Sequence, residues 1–167
     1  HALLGYSYFW GGTAFDRVFA QSDVSFAYLE IGFRLWARSG EPDIDRRMAA
    51  GVELMEEHRL EEATAAFSEV IRLKPAFAEG WNKRATVHFM ARRYKESIAD
   101  CDEVLKRNPS HFGALSGYGQ IKFNLERHEE ALKWWRRALE VNPNMFGVEL
   151  NIKTLERILE ERRGKAI

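Results

Sequence analysis

Two sets of three residues carry side chains that could bind another polypeptide. Both sets follow the spacing i, i+4, i+7, and they lie 34 residues apart. They are Asn82, Thr86 and Phe89, and then Ser116, Gln120 and Phe123. The amides of Asn82 and Gln120 can hydrogen-bond a peptide backbone, and the phenylalanines can contact its apolar side chains. These residue types therefore favour the binding of an extended or helical peptide.

The residues that usually catalyse reactions are few and poorly placed for it. The histidines at positions 1, 58, 88, 111 and 128 show no i, i+3 or i+4 pairing of the kind that binds a metal. The sequence has no glycine-rich phosphate loop that ends in Lys-Ser or Lys-Thr. Its single cysteine, Cys101, belongs to an apolar column described below and is predicted to be a buried, unreactive thiol. We therefore expect no enzymatic activity, no metal site and no cofactor.

Composition and charge narrow the class of protein further. The chain has 167 residues, of which 46% are hydrophobic and 30% charged, so a packed core is possible. Basic and acidic residues number 25 each, and a net charge of zero argues against nucleic acid as a partner. No run of 18 apolar residues is present, so we expect no transmembrane span. The chain begins with His1 rather than Met, which suggests a processed product whose targeting peptide has been removed.

A repeat of 34 residues predicts the helices that position these two sets of residues. Pro75, Pro109 and Pro143 mark the repeat, and four columns upstream of each proline agree in residue type. Two columns are small (Gly51, Ala85, Gly119; Ala63, Ser97, Ala131) and two are mostly larger and apolar (Phe67, Cys101, Trp135; Val70, Val104, Ala138). A fixed period of this length is typical of stacked repeats. Each repeat is interpreted as two helices that approach through the small residues, the proline ending the second helix. The large residues are expected to fill the space toward the next repeat. The predicted repeats are 44–77, 78–111 and 112–145.

A final helix is predicted at 148–163, after the third repeat. Its apolar residues fall on one stripe, formed by Val148, Ile152, Leu155 and Leu159. A stacked array needs such a polar-backed helix over its last hydrophobic face, so we interpret it as a cap. Gly164 is expected to end it.

The N-terminal region, residues 1–40, differs in composition from the repeat domain, residues 41–167. It holds 10 of the 21 aromatic residues, and Tyr6, Tyr8, Phe9 and Trp10 lie in a stretch without charge. A helix predicted at 22–38 is apolar on two sides, with one stripe at Leu29, Phe33 and Trp36 and another at Val24, Tyr28, Ile31 and Leu35. One stripe is expected to cover the first repeat. The other is expected to meet residues 6–19 or a partner protein. The aromatic arm is interpreted as an anchor on a larger assembly, with folding back onto the helix as the alternative.

The 34-residue length and the pattern Trp81, Ala85, Tyr94, Ser97 and Pro109 resemble the tetratricopeptide repeat family. The resemblance implies an all-α fold: a right-handed superhelical stack of three helix hairpins, here with an N-terminal aromatic arm and helix and a C-terminal capping helix. Segments 36–45, 78–85 and 111–117 resemble a subgroup found in exported bacterial proteins and in organelle-targeted proteins of plants and algae. This implies a mitochondrion or chloroplast, after removal of a targeting peptide, with the bacterial periplasm as the alternative.

The same resemblance implies that positions 2, 5, 9 and 12 of each repeat face a concave groove. These positions comprise the two sets above with Asp45, Met48, Val52, Met55, Glu79 and Gly113.

Arg84 lies outside the groove positions, in a column that is usually apolar in this family. It is predicted to pair with a carboxylate of a neighbouring helix. The clamp that holds the C-terminal carboxylate of cytosolic chaperones needs Lys, Asn and Arg at five positions. Those positions hold Met48, Val52, Lys83, Gly113 and Gly117, so that function is rejected.

These observations predict a non-enzymatic protein–protein interaction module. It would act as a scaffold, an assembly factor or an accessory subunit of a larger complex, including a membrane-associated one. The alternative is a chaperone-like protein that binds short peptides in the groove. An RNA-binding helical repeat is less favoured, because the groove positions include Asp45 and Glu79. The expected partners are other proteins, and no nucleic acid is expected.

Overall fold

The structure is a computed structural model that describes residues 38–164. This part of the chain contains α-helices and no strand, which confirms the predicted all-α fold of three hairpins and a final helix. The helices are α1 Pro42–Glu56, α2 Leu60–Leu73, α3 Ala78–Met90, α4 Tyr94–Arg107, α5 Phe112–Asn124, α6 His128–Val141 and α7 Phe146–Gly164. The described residues belong to two compact units, 38–108 and 109–164. The predicted arm, with Tyr6, Tyr8, Phe9 and Trp10, and the helix predicted at 22–38 lie outside them, apart from residue 38.

The start of α1 is fixed by side chains around Ser39. The backbone N–H and the hydroxyl of Ser39 donate to Oδ1 of Asp45 at 2.8 and 2.7 Å. The hydrogen bond from the Ser39 hydroxyl, and to a smaller extent the one from the Ser39 N–H, lowers the pKa of Asp45 below its ordinary value. Lys74, just after α2, donates to the Ser39 carbonyl at 2.6 Å and to Glu41 at 2.7 Å. Gly40 turns the chain with a φ of +79°, a conformation that favours glycine.

The small and large columns meet inside the hairpins. In the first hairpin the ring of Phe67 lies over Gly51, where an added Cβ would come within 2.6 Å of it. In the third hairpin the indole of Trp135 lies over Gly119, where a Cβ would overlap the ring. The large residues were predicted to fill space toward the next repeat, and they also fill the space within their own hairpin. The close approach is possible because the facing position is a glycine.

Each hairpin turns through a residue with positive φ that is not glycine. His58, Arg92 and Glu126 have φ values of 60°, 58° and 59°. The residue after each donates its backbone N–H to a carbonyl five residues back, as Arg59 does to Leu54 at 2.9 Å, which satisfies one of the free carbonyls at the helix end. The turns therefore share one backbone shape although their side chains share no chemistry.

The last helix, α7, packs on α6 through the predicted apolar stripe. Val148, Ile152 and Leu155 are buried with Trp135 and Leu132 of α6, and Leu159 is half-buried beside them. The helix begins two residues before the predicted start, and Gly164 is its last residue. On its exposed side, Lys153 donates to Glu149 at 2.5 Å.

Candidate functional site

Asn82, Thr86 and Phe89 lie on one face of α3, as their spacing predicts. Their exposed fractions are 4%, 1% and 6%, so all three are buried. They were predicted to line a groove that binds a peptide, and this role stays a prediction. The hydroxyl of Thr86 donates to the Asn82 carbonyl at 3.1 Å, a bond within the same helix.

A buried polar cluster lies at the N-terminal end of this face. Glu79 is 4% exposed, and its two carboxylate oxygens accept from Nδ2 of Asn82 at 3.2 and 3.1 Å. Nζ of Lys83 lies 3.5 Å from Oε1 of Glu79. The sequence analysis placed Glu79 and Asn82 at groove positions but did not foresee that they would bind each other. The i, i+3 and i, i+4 spacing of the three residues was the signal that could have shown it.

The amide oxygen Oδ1 of Asn82 is buried and has no hydrogen-bond partner among the residues that the structure describes. A buried acceptor without a partner costs about 1–3 kcal/mol. Asn82 therefore presents an acceptor on the candidate face that a donor from another segment could satisfy.

In residues 109–164, the second set of three lies along α5. Ser116 is buried, Gln120 is half-buried, and Phe123 is 37% exposed. Nε2 of Gln120 donates to Oδ1 of Asn124 at 3.2 Å, and the ring of Phe123 lies 5.7 Å from those of His128 and Trp135. Exposure thus increases along α5, and Phe123 offers an apolar surface at the C-terminal end of the helix.

Arg84 lies away from the candidate face and forms the predicted structural ion pair. Its Nε and Nη2 donate to the two carboxylate oxygens of Asp100, on α4, at 2.8 and 2.7 Å. Its Nη1 donates to Ser68, on α2, at 3.0 Å, and its guanidinium lies 5.1 Å from the centre of the Trp81 ring. One side chain therefore links α2, α3 and α4, which confirms the structural interpretation of this residue.

Lowering the pH from about 7 to about 5 is expected to destabilise the protein through His88. Burial lowers the pKa of His88 below 6.5, and the Asp100 carboxylate, 3.6 Å away, offsets this only in part. Arg93 and Arg84 lower the pKa further, while Glu96 raises it slightly. The unfolded chain therefore binds this proton at a higher pH than the folded chain. The stabilising contribution is present above pH 6.5 and is lost as the pH falls toward the folded pKa.

Urea denaturation at several pH values measures this effect. The variant His88→Gln should lose less stability than the wild type between neutral and acidic pH. The exposed His58, substituted as His58→Gln, is the control and should keep the wild-type pH dependence. An unchanged pH dependence in His88→Gln would contradict the assignment.

Among the described residues, the one cysteine lies in the interior. Cys101 is fully buried, which confirms its predicted position in the core, and burial, followed by Asp100 and Asp102, raises the pKa of its thiol. Within residues 38–164, no group of three His, Cys, Asp or Glu side chains could hold a metal ion. None of the helices described is both long and apolar enough to cross a membrane.

Sequence models of the tetratricopeptide repeat match residues 48–111 and 112–145, together more than half of the chain. The chain belongs to the tetratricopeptide repeat family. A TPR repeat-containing protein of Rhizobium etli is 40% identical to it over 60 residues. That match covers 36% of this chain and 29% of the relative, so the chain spans less than a third of the curated relative it matches.

Solved tetratricopeptide domains share the fold. The Sgt2 TPR domain from Aspergillus fumigatus aligns with a TM-score of 0.68 at 18% identity, over 76% of this chain and 85% of that one. The first TPR of Spaghetti (RPAP3), bound to an HSP90 peptide, aligns with a TM-score of 0.65 at 23% identity, over 70% and 93%. The TPR2B domain of yeast Sti1, in a complex with pHsp70, gives 0.64 at 20% identity, over 70% and 98%. These similarities establish the fold.

Proposed function

We propose that this chain is a protein–protein interaction module that acts as a scaffold, an assembly factor or an accessory subunit of a larger complex. The observation that carries the proposal is the buried face of α3, where the Asn82 amide oxygen has no partner among the described residues. A backbone N–H from a bound segment would supply the missing donor, and Phe89 lies on the same face to contact an apolar side chain.

The bound segment is not a C-terminal carboxylate. The similar domains of Spaghetti and Sti1 hold chaperone peptides, but their ligands do not transfer to this chain. Met48 is a buried apolar residue, and Gly113 and Gly117 carry no side chain that could donate. Lys83 lies beside Glu79, whose negative charge offsets its own. The face therefore suits an uncharged internal segment of a partner.

The aromatic arm is the second binding element of the proposal. Tyr6, Tyr8, Phe9 and Trp10 would anchor the chain on the same larger complex, and their lack of nearby charge supports burial against a protein. The narrower sequence resemblance supports a mitochondrion or chloroplast as the site of action, with the bacterial periplasm as the alternative.

Affinity purification followed by mass spectrometry tests both elements in one assay. The full chain is compared with Asn82→Leu, which removes the amide but keeps the volume, and with a deletion of residues 1–20. We expect at least about tenfold less partner with Asn82→Leu, equivalent to about 1.4 kcal/mol of binding. We also expect loss of the complex on deletion. The control is Glu53→Gln, on an exposed face of α1, which should retain its partners.

The pattern of losses separates the two forms of the proposal. Loss with Asn82→Leu alone identifies a reversible peptide binder, as in the chaperone-like alternative. Loss on deletion alone identifies an accessory subunit held by its arm. Retention of every partner by both variants, with wild-type circular dichroism, would reject the proposed function.

A further inference from the structure

A cleft of about 370 Å³ lies between α6 and α7, the last two helices of the chain. The apolar part of its lining is Leu132 of α6, which is buried, and Leu159 of α7, which is half-buried. The rest of the lining is charged and includes the exposed carboxylates of Glu129 on α6 and Glu160 on α7. None of these lining residues belongs to the candidate face of α3.

The charges along this cleft favour a basic ligand. Carboxylates outnumber guanidiniums by three to two in the lining. Arg136 of α6 is already engaged, because its Nη2 donates to Oε1 of Glu156 on α7 at 2.5 Å. The second guanidinium, that of Arg163, is exposed in the last turn of α7. Glu129 and Glu160 form no ion pair among the described residues, so both carboxylates are available to a cation.

The corresponding place between the first two hairpins holds an arginine of the chain itself. Glu61 and Thr64 of α2 precede Glu129 and Leu132 by two repeats. Arg93 lies in the turn between α3 and α4, and its Nη2 is 3.3 Å from Oε1 of Glu61 and donates to the Thr64 hydroxyl at 3.4 Å. Only 31% of the Arg93 side chain is exposed. The repeat therefore places a guanidinium against this part of a second helix, beside a glutamate that recurs at position 129.

Along α7 the position of that arginine holds an acid. The helices α1, α3 and α5 have 15, 13 and 13 residues, and each is followed by a turn residue with positive φ. By contrast, α7 has 19 residues and continues as a helix through Glu160, which lies one repeat after the turn residue Glu126. The position of Arg93 is held by Glu161, an exposed residue of the same helix. The cleft thus keeps the glutamate of this arrangement without the guanidinium that pairs with it between the first two hairpins.

We propose that the cleft between α6 and α7 binds an arginine from a basic segment of a partner protein. The guanidinium would pair with Glu129 and Glu160, because its planar fork of donors suits carboxylates. Its aliphatic stem would lie along Leu132 and Leu159. This inference goes beyond the proposed function, because it adds a second binding surface with a charged ligand, whereas the face of α3 suits an uncharged segment.

A synthetic peptide serves as the probe for this site. It is an alanine-based helix of about 18 residues, with one central arginine and a leucine one turn before it. The matched control peptide carries citrulline in place of the arginine, which keeps the shape of the side chain and removes its charge. In an NMR titration of the isotope-labelled full chain, the arginine peptide should shift the backbone amides of residues 129–132 and 159–160. The citrulline peptide should bind at least about tenfold more weakly.

Variants of the chain test the two carboxylates. Glu129→Gln combined with Glu160→Gln should weaken binding of the arginine peptide at least about tenfold. The control combines Glu140→Gln with Glu161→Gln, which removes the same charge from α6 and α7 at exposed positions outside the cleft lining. The control variant should keep the wild-type affinity, since the general charge of the protein changes equally in both.

Absence of binding by the arginine peptide, equal binding of the citrulline peptide, or equal losses in the two double variants would overturn the proposal. So would a dimer of the full chain that Glu129→Gln with Glu160→Gln dissociates, because a second copy would then occupy the cleft. Peptide binding should be unchanged in Asn82→Leu. An empty cleft with intact Asn82-dependent partner binding would reject this inference alone. An occupied cleft with every partner retained by Asn82→Leu and by the deletion of residues 1–20 would reject only the proposed function.

Discussion

Truncation of Trp135 to alanine is expected to destabilise the protein by about 3–5 kcal/mol, the usual cost of removing a large buried aromatic side chain. Trp135 is 2% exposed and joins α6 to the apolar stripe of α7. Its indole N–H also donates to the Ser116 carbonyl at 3.2 Å. Because Gly119 has no side chain to fill the space left behind, the void would remain open.

Hydrogen exchange shows where the stability is lost. In a repeat array each element depends mainly on its neighbours, so protection should fall first in α5, α6 and α7. Trp134→Ala is the matched control. Trp134 is half-buried and stacks on Tyr118 at 4.3 Å, a contact worth about 0.5–1.5 kcal/mol beyond the area it buries. Unchanged protection across residues 112–160 in Trp135→Ala would contradict the packing role.

The variant Arg84→Met is expected to cost about 3–5 kcal/mol, because it leaves a buried carboxylate without its partner. Asp100 is almost fully buried, and both its oxygens accept from Arg84. Replacing both members, as Arg84→Met with Asp100→Leu, should recover much of the loss, since no charge is then left in the interior. Urea denaturation of the wild type, the two single variants and the double variant measures the coupling.

The exposed pair Arg72–Glu69 provides the comparison. It has the same bidentate geometry, at 2.8 and 2.6 Å, but both side chains are in contact with solvent. Arg72→Met should change stability by no more than about 1 kcal/mol. If Arg84→Met costs no more than Arg72→Met, burial does not control the strength of the Arg84 pair.

The sequence predicted the parts of the fold that depend on residue size. Gly51 and Gly119 belong to a small column, and Phe67 and Trp135 to a large one, and the structure brings these residues together. The hairpin turns could not be predicted in the same way. Their positive φ is set by the closing backbone bonds, and His58, Arg92 and Glu126 share no side-chain property that reports it.

The sequence predicted which side chains share the candidate face, but it did not predict how exposed they are. A spacing of i, i+4, i+7 determines which side chains share a helix face, and Asn82, Thr86 and Phe89 do share one. It does not determine how exposed that face is, because exposure depends on contacts between segments far apart in the sequence. The hydrogen bonds between Glu79 and Asn82 were not predicted for a related reason. Polar residues at this spacing are common on exposed helix faces, and burial is what leaves these two side chains to bond each other.

The ion pair on α7 has a consequence for what can pack against that helix. Lys153 lies 34 residues after Gly119, in the column where each hairpin needs a small residue to receive its second helix. Its long side chain, bound to Glu149, is exposed on the side of α7 that this column marks. A helix that packed on this side of α7 would have to bury that pair, whether it came from this chain or from another copy. The pair therefore disfavours end-to-end growth of the repeat into fibres through this side of α7.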